Sequence, residues 1–179
     1  MVNSCAIYSL DYFSLNDFAD EESRLAAIQS VGMVGAKNAL PKLKSLLKNS
    51  QYSDERLAIT ISTGYIGDAS SIPFLRELLY DEEPNIRWDA AVGLAKMGDT
   101  SSVFIIENLL DRNYLSSFPE LSPSEIDQVI STAIYVTSIL KHDRFYSKLK
   151  GLTLDENLKI RNAVIKTIEK IFNEFVFII

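Results

Sequence analysis

The stretch N-I-R-W-D-A-A-V-G-L-A-K-M-G-D, Asn85 to Asp99, decides the fold. Its apolar residues Ile86, Ala90, Ala91, Leu94 and Met97 fall on one stripe of an α-helix, not on the alternating positions of a strand. Gly98 closes that helix, since a glycine past the last turn takes the left-handed conformation that satisfies free carbonyls. Val103, Ile106, Leu109 and Leu110 then form a second stripe, so the unit reads as a helical hairpin.

The same outline occurs twice upstream. R-L-A-A-I-Q-S-V-G-M-V-G-A from Arg24, R-L-A-I-T-I-S-T-G-Y-I-G-D from Arg56 and R-W-D-A-A-V-G-L-A-K-M-G-D from Arg87 start at steps of 32 and 31 residues. Gly35, Gly67 and Gly98 keep that step, as do Pro41, Pro73 and Phe104, and Leu47, Leu79 and Leu110. The two prolines sit in the first turn of the second helix, where a missing N–H costs least. One hairpin cannot bury two stripes, whereas stacked copies can. The expected class is all-α, an α–α superhelix: a short right-handed solenoid of about five hairpins.

The unit ending in S-V-F-I-I-E-N-L-L-D resembles the short HEAT-like repeat named after phycobilisome lyases, whose pattern reads roughly V-R-x-x-A-A-x-A-L-G-x-L-G-D. The resemblance is clear over residues 20–112. Two weaker copies fill 122–179. In L-S-P-S-E-I-D-Q-V-I-S-T-A-I-Y-V-T-S-I-L-K, Ser122 is the expected N-cap, with Pro123 at the first helical position and Glu125 completing a capping box. That helix lacks the repeat's arginine and its closing Gly-Asp. In L-D-E-N-L-K-I-R-N-A-V-I-K-T-I-E-K-I-F, Arg161 stands six after Asp155 just as Arg87 stands six after Asp81. The whole chain, 1–179, reads as one repeat domain. Residues 1–19 hold an N-terminal capping helix near 4–15, and 113–121 form a long loop.

Composition narrows the chemistry. With 47% hydrophobic and 23% charged residues, 7 Gly and 5 Pro, the chain is an ordered globular protein. Its net charge of −6 disfavours nucleic acid as a partner. The charge is uneven, −9 over residues 1–140 and +3 over 141–179. Cys5 is the single cysteine, so neither an intramolecular disulfide nor a cysteine-rich zinc site is expected. Asp11 and Asp17 stand where a signal peptide would be apolar, and no uncharged stretch reaches membrane-spanning length, so the expected compartment is cytoplasmic. The single histidine, His142, reads as a solvated turn residue, and one histidine cannot supply the paired His-Glu motifs of iron-binding HEAT-like enzymes. With no phosphate loop, zinc spacing or nucleophile elbow, the expectation is a protein without catalytic residues, cofactor or metal.

Candidate contact residues come in three groups. Acidic residues recur at the starts of the first helices: Asp20, Glu21 and Glu22; Asp54 and Glu55; Asp81, Glu82 and Glu83; Asp155 and Glu156. They favour the helix dipole, and in a stack they also line up as an acidic ridge suited to a basic partner. Beside it run Leu25, Leu57 and Trp88, then Asp89, and further on Met33, Tyr65 and Lys96; Trp88 and Tyr65 are the aromatic anchors of a contact surface or else core residues. Third, D-R-N-Y-L-S-S-F-P-E-L-S-P, Asp111 to Pro123, breaks the period by about seven residues; Tyr114 and Phe118 either reach a partner or fold back over the core. The apolar end I-F-N-E-F-V-F-I-I packs on the last hairpin or forms a homodimer contact.

These features imply a non-enzymatic protein-binding module, most concretely a bacterial immunity protein that inhibits a basic toxin. The resemblance itself implies an alternative, a scaffold or chaperone-like subunit of a phycobilin lyase system. A HEAT-like DNA glycosylase is a further alternative that the acidic charge disfavours.

Overall fold

The computed structural model describes residues 20–172. The expected capping helix, Cys5 and the terminal apolar run beyond Phe172 lie outside the described residues. Within them are helices α1 (Glu21–Val34), α2 (Leu40–Asn49), α3 (Ser53–Ile66), α4 (Ile72–Leu78), α5 (Pro84–Lys96), α6 (Val103–Leu109), α7 (Arg112–Ser116), α8 (Pro123–Leu140), α9 (Phe145–Leu152) and α10 (Leu158–Phe172), with no strand among the described residues. The fold is all-α and of the α–α solenoid class. Residues up to Met97 form one compact unit and residues from Gly98 a second.

In the first unit, α1, α3 and α5 pack side by side as one layer, and α4 packs on α5 as α2 packs on α3. Small residues set the spacing of the layer. The residue six places after one arginine meets the glycine eight places after the arginine before it. A Cβ added to Gly32 would lie 2.6 Å from the Cα of Ser62, and one on Gly64 would lie 3.2 Å from the Cα of Gly93. Ser62 Oγ also donates to the carbonyl of Ile28 at 2.9 Å. Ile28, Ile59, Leu75, Ile86 and Leu94 fill the space between the layers.

The closing Gly-Asp has a specific task in the second and third hairpins. Gly67 and Gly98 take φ of 61° and 77°, reversing the chain after α3 and α5. The aspartates that follow then cap a short 3-10 turn that leads into the second helix, Asp68 accepting from the Ser70 amide and Asp99 from the Ser101 amide, each at 2.9 Å. The hydrogen bond from Ser70, together with Lys37, holds the Asp68 carboxyl down at about 2.

In the second unit α6 and α10 pack on α8, and α9 packs on α10. The capping box at Ser122 and Glu125 is formed, with Pro123 as the first residue of α8. The absent glycine is replaced at the far end by Lys141, which adopts φ 48° while its amide donates to the Thr137 carbonyl at 2.9 Å. The segment expected as a loop over 113–121 begins inside α7. Leu115 is fully buried, and Tyr114 and Phe118 are half-buried with their rings edge to face at 5.2 Å. This segment therefore folds inward over the core.

A lysine held in the left-handed region is strained by about 1 kcal/mol relative to glycine. Lys141→Gly is accordingly expected to stabilise the protein by roughly 0.5–1 kcal/mol, measured as a raised midpoint in urea. An unchanged or lower midpoint would show that the lysine side chain compensates.

Candidate protein-binding surface

The acidic residues at the starts of the first helices divide into two sets with different fates. One set is consumed internally. Arg24 Nε donates to Glu55 Oε1 at 2.7 Å, and the Glu55 carboxylate is almost wholly buried. Arg56 on α3 pairs with the equally buried Asp81 and reaches Glu82 at 3.3 Å. Each arginine thus neutralises a carboxylate that begins the next hairpin.

Arg87 works differently, its guanidinium donating to the carbonyls of Asp81 and Glu82 at 2.7 and 2.9 Å and fixing the entry to its own helix. Arg161 repeats this geometry on the carbonyls of Asp155 and Glu156. The six-residue spacing shared by Asp81–Arg87 and Asp155–Arg161 therefore encodes one structural device.

That device needs a second arginine to hold the aspartate, and α8 carries none. Asp127 follows the buried Ile126 where an arginine would be expected after the buried isoleucine. The cation comes instead from α7 in the inserted segment: Arg112 donates to Asp155 at 2.8 and 2.9 Å and to Asp127 at 2.6 Å, with Glu156 at 3.4 Å. Asn157 donates to the other oxygen of Asp127 at 2.6 Å. Arg112 holds Asp127 below the usual carboxylate range, while Asp155 is the main cause of the raised Arg112 pKa. Sequence reading places Arg112 in an interruption of the repeat and misses this role, because its partner lies 43 residues along the chain.

The second acidic set faces solvent. Glu21, Glu22, Asp54, Glu82 and Glu83 are exposed at one end of the α1–α3–α5 layer, and among the described residues only Glu82 is engaged, by Arg56. The expected ridge is thus thinner than the sequence suggests, since Glu55 and Asp81 are buried in ion pairs and are not free to meet a partner. Trp88 is only 6% exposed and belongs to the core, so it is not a surface anchor. Tyr65, by contrast, is 64% exposed and Met33 83% exposed. Met33, Tyr65 and Lys96 stand at equivalent places nine residues after their arginines, and the Lys96 ammonium lies 4.8 Å from the centre of the Tyr65 ring. Tyr114 and Phe118 belong to the inward-folding segment described above.

Asp89 lies on this same face, two residues after Arg87 as Ala58 is two after Arg56. It is half-buried, with no hydrogen-bond or ion-pair partner among the described residues. Burial pushes its carboxyl up to about 6, against the opposing pull of Lys96. His142 is a half-buried turn residue whose Nδ1 accepts from the Arg144 amide at 3.3 Å. Among the described residues no cluster of metal-binding side chains is formed and no helix is long and apolar enough to cross a membrane.

Residues 54–115, a third of the chain, match the family model for HEAT repeats. With the hairpins described above, this match supports a HEAT-like repeat protein, and HEAT repeats are in general modules for binding other proteins. No curated protein matches the sequence.

Two expectations follow from the charges. Removing Arg112 strands the buried Asp155 together with Asp127, so Arg112→Met is expected to lose about 3–5 kcal/mol of stability by urea unfolding, with Arg112→Lys losing less. Asp89 acts in the opposite sense to the capped and paired carboxylates. Its folded pKa lies above its unfolded one, so its contribution is full below about pH 4 and is lost as pH rises through about 6. Asp89→Asn is therefore expected to be more stable than the native protein at pH 7 by on the order of 2 kcal/mol, with the two curves converging near pH 4.

Proposed function

We propose that this protein is a non-enzymatic binding module that inhibits a basic protein toxin, in the manner of a cytoplasmic immunity protein. The observation that carries this reading is the exposed row Glu21, Glu22, Asp54 and Glu83, which has no cationic partner among the described residues, while the neighbouring acids Glu55 and Asp81 are neutralised by arginines. The carboxylates that tie one hairpin to the next are paired with arginines. Those left unpaired on adjacent helices raise the local negative potential and attract a positively charged surface. The same field repels a phosphate backbone, which favours a protein partner over DNA. The other carboxyls with lowered pKa are accounted for by caps and ion pairs, Asp20 and Glu125 by serines and Asp111 by Lys148.

The test is affinity capture from extract of the source cell at low and moderate salt, with the native protein and with Asp54→Lys/Glu83→Lys. The expected result is one stoichiometric basic protein, released by salt, bound about tenfold more weakly by the reversed variant, and toxic unless mixed with the native protein. Capture that is insensitive to charge reversal, or a captured protein whose toxicity is unchanged on mixing, would remove the reading.

A further inference from the structure

The face of the first unit that bears Tyr65 is apolar where the helix starts are acidic. An open groove of about 470 Å³ runs between α1 and α3, lined by Gln29, Met33, Ala58, Ile61, Ser62 and Tyr65. From Ala58 to Tyr65 it follows α3 for seven residues, about 10 Å, which matches two successive turns of a helix laid along it. A surface of this length and shape takes side chains projecting at three- and four-residue steps from a partner helix.

Charge decides what kind of helix. On α5 the place of the groove-lining Ala58 is taken by Asp89, a half-buried carboxylate with no hydrogen-bond partner among the described residues. Lys96 is the charged group acting on it, and that ammonium sits 4.8 Å from the Tyr65 ring centre. A carboxylate kept partly out of water without a partner weakens the free protein, and a cation brought by the partner removes that cost.

We propose that this face seats an amphipathic helix of a partner protein, its apolar side chains filling the α1–α3 groove between Met33, Ile61 and Tyr65 and a lysine or arginine on its flank meeting Asp89. The proposal rests on the protein-binding reading but not on the partner being a toxin. It differs from the acidic row in using a different face and in depending on apolar contact, so its binding is less sensitive to salt.

The probes are two short synthetic helical peptides, one of leucine and lysine and one of leucine and glutamate, added to the full chain carrying ¹³C-methyl methionine. The leucine–lysine peptide is expected to shift the Met33 methyl signal saturably, and the leucine–glutamate peptide to leave it in place. Asp89→Asn is expected to weaken the first peptide about tenfold, and Tyr65→Glu to abolish the Met33 shift. Glu77→Gln, on α4, controls for general electrostatic attraction and is expected to leave the affinity unchanged. Equal binding by Asp89→Asn and the native protein, or saturation with no change at Met33, would overturn the proposal. Failure of the toxin capture with peptide binding intact removes only the toxin reading, and the reverse result removes only this one.

Discussion

Successive hairpins are tied by a guanidinium on one element and a buried carboxylate at the start of the next first helix. Arg24 with Glu55, Arg56 with Asp81, and Arg112 with Asp155 are three instances of one constraint. Neither group can be removed alone, because the one left behind is a charge held away from water. The constraint fixes the pair and leaves its address free. Asp81 and Asp155 lie six residues before an arginine; in the second hairpin Ser50 holds that place, Glu55 supplies the acid from within α3, and Ser50 Oγ donates to it. In the last hairpin the acid is in its usual place, and the arginine has moved to α7.

This freedom explains what could be read from the chain and what could not. The helical stripes, the closing glycines and the capping box at Ser122 depend on neighbours within one or two turns, and each was legible from local spacing. The Asp-to-Arg spacing of six was legible as a pattern, and its meaning lies in local carbonyls that any copy of the turn presents. The division of the acids was not legible. Asp54 and Glu55 are adjacent and chemically alike, and only the position of Arg24 across the layer makes one an exposed charge and the other a buried one. Arg112 was hidden for the same reason, as was the burial of Trp88, which a row beside an acidic edge does not by itself decide.

Spacing within the layer determines which side chains reach the surface. Where Gly32 meets Ser62 and Gly64 meets Gly93, the helices approach until their backbones are in contact. Only glycine or serine stands at those positions, and the side chains next along, Met33 and Tyr65, are left largely exposed. The close contacts that make the layer rigid and the exposed apolar face are thus two results of one packing choice. An added methyl at Gly32 would push α1 from α3 and widen the groove between Met33 and Tyr65, so stability and surface shape are coupled through the same residues.

Asp89 sits at the point where these two demands diverge. At the equivalent place α3 has Ala58, which is buried without cost, and the repeat's stability gains nothing from a carboxylate there. The nearby lysine is on the same helix and lies over Tyr65, so the acid is not answered as Asp81 and Asp155 are answered. Among the described residues every other carboxyl with a shifted pKa is lowered by a contact that folding itself supplies, and Asp89 alone is raised. A residue that folding disfavours, on the face that packing leaves apolar, is where selection for a partner would show against the background of selection for the fold.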